Sequence, residues 1–383
     1  MRKPPKIVNN GSIPHSGTKP YLLNEINSLD SSYMPSRKSG GTLRRTERVD
    51  LHAVAKRAKV SVATASRTVN HVPSVNPAYA KRVWEAIKHL GYVPNTQARA
   101  LVSGRSRLIG VIISDITNPF FPELIQSFEE EAIDANYEIL IGSTAYDSRR
   151  MEICIDRMLQ RKVDGVAVMT FGIEEPLLDR LSLQNIPLVF IDIAPKGRAT
   201  SAIKIDYGSG IQEAVEHLVS LGHRKPAFIS GPPDLHSAES RRAAFLNAAN
   251  KQGLQIPKSY IYSGDHTLEG GMAGMRFFLG QSSLPTAIIC SNDMTAIGVM
   301  HAAAEARLRI PEDISVIGFD DIHIARFTIP PLTTIRMSCQ ELAHAAFKAL
   351  RGYLEKGVTF RPEELNIRTK LQVRNSTGAP RKG

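Results

Sequence analysis

The chain has 383 residues, 42% apolar and 22% charged, a composition that suits a soluble globular protein and a length that calls for two or three domains. No apolar run approaches the ~20 residues that span a bilayer, the basic start MRKPPKIVNN leads into no apolar stretch, and Cys154, Cys290 and Cys339 are scattered. The pattern argues against a membrane partner, a secretory leader, a disulfide framework or a metal site, and leads us to expect a cytoplasmic location. The net charge of +11 is uneven, with 19 Lys/Arg against 5 Asp/Glu in residues 1–107 and 29 against 32 in the rest. One end is therefore suited to a polyanion, nucleic acid before membrane because no basic amphipathic anchor accompanies it.

Residues 1–48 are rich in Pro, Ser, Gly, Asn and Lys/Arg without a sustained apolar period, and are expected to be a disordered basic extension. Met34 lies within it as a second possible start. The pattern changes at Val49. Asp50 can cap a helix with apolar positions Leu51, Val54, Ala55 and Ala58. After a break at Lys59-Val60, Ser61 can cap a helix from Val62 to Val69. Asn76 with Pro77 opens a third that presents Val83, Trp84, Ile87 and Leu90 and stops at Gly91. Three short helices with a tight first turn fit a helix-turn-helix domain over 49–94. Residues 95–107 read as a short hinge helix and linker, too small to be stable alone.

From Leu108 strand-like runs alternate with amphipathic helices. The strands are expected at 108–114, 137–142, 164–169, 187–191, 202–205, 226–230, 260–263, 287–290 and 316–318. Helices such as 121–136, 209–221, 237–251 and 293–306 lie between many of them, and another spans 340–356. Repeated β-α units imply parallel sheets covered on both faces, and nine strands over this length imply two lobes with a ligand cleft at the strand ends between them. This α/β sensor is expected over 108–376, followed by a disordered tail at 377–383.

Strings along the chain resemble the LacI/GalR family of lactose-repressor-type regulators. They include Val54-Ala55, Val60 through Asn70, Gly91-Tyr92-Val93-Pro94-Asn95, Asp115 through Phe121, Gly222-His223, Ser291-Asn292-Asp293, Ile317 through Asp321 and Pro330 through Ile335. The resemblance covers roughly residues 50–376. Lys59 departs from it, standing where the family usually has Gly in the turn.

The resemblance implies a two-domain α/β regulator, a helix-turn-helix joined to a two-lobed periplasmic-binding-protein-like sensor. It would act as a homodimeric, allosteric repressor on a palindromic operator. The implied base readers are Val62, Ala63 and Arg67. Ser61, Thr64 and Asn70 would meet phosphates, Leu101 would wedge into the minor groove, and Arg99 would reach phosphate or minor groove. A small sugar-like effector would be held by Phe120 and Phe121 on the first lobe, by Asp192 and Asp206 at strand ends, and by Ser237, Arg241, Asn292 and Asp320 on the second. Asp320 is the foremost of these. Asn118 is expected mainly as a helix cap, and His236 and His266 lie at the rim. Leu235 stands where purine-responsive members carry a cation, which speaks against a purine.

An enzyme is the first rival. The sequence holds no dinucleotide or P-loop glycine pattern, no metal-ligand cluster and no supported nucleophile triad, so neither catalysis nor a cofactor is expected. Two further rivals are a regulator answering to a protein partner and a sugar-binding protein without operator specificity.

Overall fold

A computed structural model describes residues 49–70, 72–93, 104–169, 180, 181, 183–192, 200–360 and 365–381. The expected extension 1–48 and the hinge positions 95–103, with Arg99 and Leu101, lie outside the described residues. Contacts divide the chain into two compact units, Met1–Pro94 and Asn95–Gly383.

The first unit holds α1 (Leu51–Ala58), α2 (Val62–Val69) and α3 (Pro77–Leu90). Each start is set by a side-chain cap. Asp50 accepts from Ala53 N at 2.8 Å, Ser61 from Thr64 N at 3.1 Å and Asn76 from Ala78 N at 2.9 Å. Gly91 ends α3 at φ 62°. Lys59 takes the left-handed turn between α1 and α2 at φ 53°, a conformation that glycine adopts without a Cβ penalty. Val54, Ala55, Ala58, Ala65, Val83 and Ala86 form the small core. Trp84, expected on the apolar face, is instead 40% exposed.

The second unit is two six-stranded sheets. The first lobe has the order β11-β5-β4-β3-β1-β2, all parallel, and the second β12-β10-β9-β8-β6-β7, parallel except for β12. The strands are β1 (Leu108–Ile113), β2 (Glu138–Ser143), β3 (Gly165–Met169), β4 (Leu188–Ile191), β5 (Thr200–Asp206), β6 (Pro226–Ser230), β7 (Ile261–Ser263), β8 (Ala287–Cys290), β9 (Ser315–Asp320), β10 (Thr333–Arg336), β11 (Leu365–Arg368) and β12 (Lys370–Gln372). Between them run α4 (Phe120–Asp134), α5 (Ser148–Arg161), α6 (Tyr207–Ser220), α7 (His236–Lys251), α8 (Leu268–Leu279), α9 (Asp293–Glu305) and α10 (Cys339–Lys356). The sheets are covered on both faces. Ile109, Val111 and Ile113 of β1 join the core that includes α4 and α10, while Ile112 points the other way onto Met151, Ile155 and Met158 of α5.

The chain passes between the lobes three times, after β5, after β10 and after β11, and the three passages meet at one point. Thr369, fully buried, donates its hydroxyl to Asp206 O at 2.7 Å and accepts from Gly210 N at 3.0 Å. A Cβ on Gly210 would lie 2.3 Å from Ile335 Cγ2 and 2.6 Å from Thr369 Oγ1, so only glycine lets the passages approach this closely.

The disordered tail expected from 377 is corrected at its near end. Gly378 O is bound by the buried His223 (Nε2, 2.8 Å) and by Ser315 Oγ (3.2 Å), and Thr377 Oγ1 lies 2.9 Å from His217 Nε2. Among the described residues no helix is long and apolar enough to cross a membrane.

Candidate functional site

Two regions bring the expected site residues together, one in each unit. On α2, Ala63 and Arg67 are four residues apart, so they share a face that the small core leaves open. Thr64 Oγ1 lies 2.9 Å from the capping hydroxyl of Ser61, and Asn70 ends the helix with its amide 3.5 Å from Ser66 Oγ. Val62 sits differently from expectation. It is half-buried against the three-helix core, which leaves only part of its side chain for a base edge.

In the second unit a narrow cleft of about 20 Å³, open at its mouth, lies between the lobes. Its lining is Asn118, Phe120, Phe121 and Tyr146 from the first lobe, with Ser237, Arg241, His266, Asn292 and Asp320 from the second. The parallel topology explains the convergence. Asp320 is the last residue of β9, Asn292 follows β8, and Asn118 follows β1, all at carboxyl ends of strands. Asn118 accepts from Phe120 N, the first residue of α4, at 3.1 Å, while the residue in the cap position itself is Pro119.

Arg241 and Asp320 form the charged floor. Both are nearly buried, with Arg241 Nη2 3.8 Å from Asp320 Oδ1. The guanidinium lies over the rings of Phe319 (4.0 Å) and Tyr207 (5.0 Å) and donates to Ser291 O, while its buried Nε has no partner among the described residues. The Asp320 carboxylate accepts no hydrogen bond among the described residues. Its backbone is in the left-handed region at φ 115°. Burial pushes its carboxyl up to about 7 against the opposing pull of Arg241. A carboxylate shielded from water with free acceptor positions is a waiting partner for hydroxyl donors.

His266 is held down to about 3 by burial, with Arg241 adding to the effect, so it is a neutral ring at any physiological pH. Its Nδ1 is 3.1 Å from Ser291 Oγ, and Gly231 leaves it room, since a Cβ there would lie 2.1 Å from Nε2. Asn292 uses both ends of its amide within the protein, capping α9 at Thr295 N (2.8 Å) and donating to His266 O (2.9 Å). Its place in the lining is therefore that of a support for the His266 loop.

Two expected residues are not in the lining. Asp192, just after β4, accepts from Tyr207 Oη at 3.2 Å and lies 3.2 Å from His236 Nδ1, which ties the first lobe to the second at the rim. Asp206 is a helix cap. One of its oxygens accepts from Ser209 N at 3.0 Å and the other from Ser209 Oγ at 2.5 Å. The expectation that it faces the effector is corrected by this commitment. Tyr146, which sequence reasoning missed, enters from the turn after β2 at φ 58°. Its signal was its place just beyond a strand's carboxyl end. Among the described residues no group of three His, Cys, Asp or Glu is placed to hold a metal ion.

Known proteins similar to this chain share both of its units. Residues 50–95 match the family of bacterial regulatory proteins of lacI type, and residues 215–377 match a periplasmic binding protein-like domain. The chain is 35% identical over 328 residues to the HTH-type transcriptional repressor PurR of Glaesserella parasuis serovar 5, covering 84% of this chain and 96% of that one. It is 34% identical to the ribose operon repressor of Escherichia coli K12 (84% and 98% covered) and 32% identical to catabolite control protein A of Priestia megaterium (86% and 99%). Among solved structures, the lac repressor dimer bound to operator and the anti-inducer ONPF matches with a TM-score of 0.75 at 27% identity, covering 87% of this chain and all of that one. A complex of the transcriptional regulator CelR with cellobiose matches at 0.65 and 26%, covering 86% and 100%.

Proposed function

The chain belongs to the LacI family of bacterial regulatory proteins, and from that membership we propose that a small, neutral, polyhydroxylated effector, a sugar or sugar derivative, is its allosteric signal. It is a DNA-binding transcriptional regulator rather than an enzyme. It works as a dimer on operator DNA under the control of a small molecule. The identity of that molecule, the residues that hold it and a cytoplasmic location, where operator DNA lies, are the parts proposed.

The observation that carries the effector reading is the Asp320 carboxylate, 6% exposed and without a hydrogen-bond donor among the described residues. Paired hydroxyls of a sugar supply such donors, and Arg241 beside it offers a donor to a ring or hydroxyl oxygen. Phe120, Phe121 and Tyr146 add aromatic faces and edges for the apolar side of a pyranose or furanose ring. The charge balance argues for a neutral ligand. Among the described residues Arg241 is the one permanently cationic side chain in the lining and Asp320 already faces it, so no surplus cation awaits a phosphate or carboxylate. Relatives named for a ribose operon and complexed with cellobiose agree with the class.

The proposed DNA contacts are Arg67 and Ala63 to base edges, with Ser61, Thr64 and Asn70 to phosphates and a lesser part for Val62. Arg99 and Leu101 of the hinge are proposed for the minor groove on the resemblance alone. Binding between the lobes favours the arrangement in which both walls touch the ligand, and the three passages around Thr369 carry that preference through the sensor. The test is operator binding by the full-length protein against a panel of neutral pentoses and hexoses, their phosphate esters, and purines. A shift confined to neutral sugars supports the reading, and a shift confined to the esters or purines overturns it.

A further inference from the structure

The second lobe holds a cavity that the effector reading does not use. It lies at the amino ends of the strands, where Lys225 leads into β6, the turn Lys258–Tyr260 leads into β7 and residues 281–283 approach β8. Asp320 and the cleft are at the opposite, carboxyl ends of the same sheet. The cavity has a volume of about 300 Å³, enough for a small metabolite, and its lining includes Lys225, Gln255, Ser259, Tyr260, Ser282 and Ser283.

The polar groups that converge there are largely unspent. Among the described residues no Asp or Glu lines the cavity and Lys225 forms no ion pair. Gln255, Ser259 and Ser282 likewise make no side-chain hydrogen bond among the described residues. Lys225 Nζ donates to Ser283 Oγ at 3.3 Å, so the Ser283 hydroxyl keeps its own hydrogen for a further acceptor. Tyr260, only 6% exposed, donates to Ser283 O at 3.1 Å and fixes the wall on which that hydroxyl stands.

An ammonium set among hydroxyls and amides, with no carboxylate beside it, is complementary to an oxyanion. A neutral ligand would leave the charge unanswered, and a cation would be repelled. We propose that this cavity is a second ligand site, for the phosphoryl group of a small metabolite. Lys225 meets its charge, Ser282 and Ser283 donate to its oxygens, and Gln255 and Ser259 face the hydroxyls of the carbon skeleton. Free phosphate offers the same chemistry. The site shares no residue with the cleft, so it stands whether or not the effector there is a neutral sugar.

The test is calorimetric titration of the full-length parent, Lys225→Gln and Lys225→Arg proteins with ribose 5-phosphate, inorganic phosphate and ribose. Lys225 is exposed, so neither replacement disturbs the core. Ribose 5-phosphate is expected to saturate one site per chain, at least tenfold more weakly in Lys225→Gln and within about threefold of the parent in Lys225→Arg, which keeps the charge. Inorganic phosphate is expected to bind at least tenfold more weakly than the ester. Equal affinities with the same dependence on Lys225 would keep the site and make free phosphate its occupant. The proposal is overturned if neither phosphate compound binds, if ester binding survives Lys225→Gln unchanged, or if ribose competes for the site with equal affinity.

Discussion

Arg241 and Asp320 face each other across 3.8 Å at the floor of the cleft, both almost sealed from water, yet among the described residues Asp320 accepts no hydrogen bond and Arg241 Nε has no acceptor. A buried pair of this kind is stable only when its remaining donors and acceptors are met, and in the function proposed above the effector is what meets them.

The raised Asp320 carboxyl makes this pair visible in pH dependence. The unfolded chain ionises near 3.8, whereas the folded protein keeps the proton up to about 7. Between those values the folded state binds more protons, so its stability falls as pH rises through that window. Thermal unfolding from pH 4 to 8 is expected to show this decline, and Asp320→Asn to flatten it. Sugar affinity moves the other way, because the ionised carboxylate is the acceptor. It should rise about tenfold between pH 6 and pH 8, following the ionised fraction. An affinity that is flat or falling over this range contradicts the assignment.

Arg67 stands on α2 with Ala63 on the same face. Arg67→Ala is expected to lose roughly 1–3 kcal/mol of discrimination between operator and mutated half-sites while the salt-dependent, non-specific binding largely persists. Arg67→Lys should not restore it, since the ammonium lacks the bidentate geometry. Competition gel shifts with single-base operator variants measure this directly.

Thr369 links the first and third passages between the lobes through Asp206 O and Gly210 N. Thr369→Val keeps the shape and strands both partners, at a cost of roughly 1–3 kcal/mol. Thr369→Ser keeps the hydroxyl and should stay near the parent. Chemical denaturation of the three proteins compares them.

The chain end belongs to the second lobe. Removing residues 377–383 takes Gly378 from His223 and Ser315 and leaves buried polar groups without a partner, which should lower stability by about 1–3 kcal/mol or more. Operator specificity is expected to survive at temperatures where the shortened protein is folded. Unchanged unfolding would show that the tail contacts carry no weight.

The parts legible in the sequence are those whose cause is local. Ser61, Asn76 with Pro77, and Gly91 set the limits of α2 and α3 through bonds or dihedrals spanning three residues or fewer, and the observed limits agree with them. The long β-α alternation revealed two lobes, and the strand-end position revealed Asp320. Strands β10, β11 and β12 escape a sequence reading because their sequences, TTIR, LNIR and KLQ, are mostly polar or charged and show no apolar run. Asp206 misleads because the residue after a strand and before a helix can either face a ligand or cap the helix. Only the hydrogen bonds to Ser209 separate the two. Helix periodicity does not say how far a short bundle closes over its first residue, and so it leaves the half-burial of Val62 unseen.

The most direct test is calorimetric titration of the parent and Asp320→Asn proteins at pH 8 with the neutral sugar that shifts operator binding. We expect a single site per chain in the parent, a loss of at least a hundredfold in the variant, and operator binding by the variant that no longer responds to the sugar. A variant that binds the sugar and answers to it as the parent does would place the effector outside this cleft.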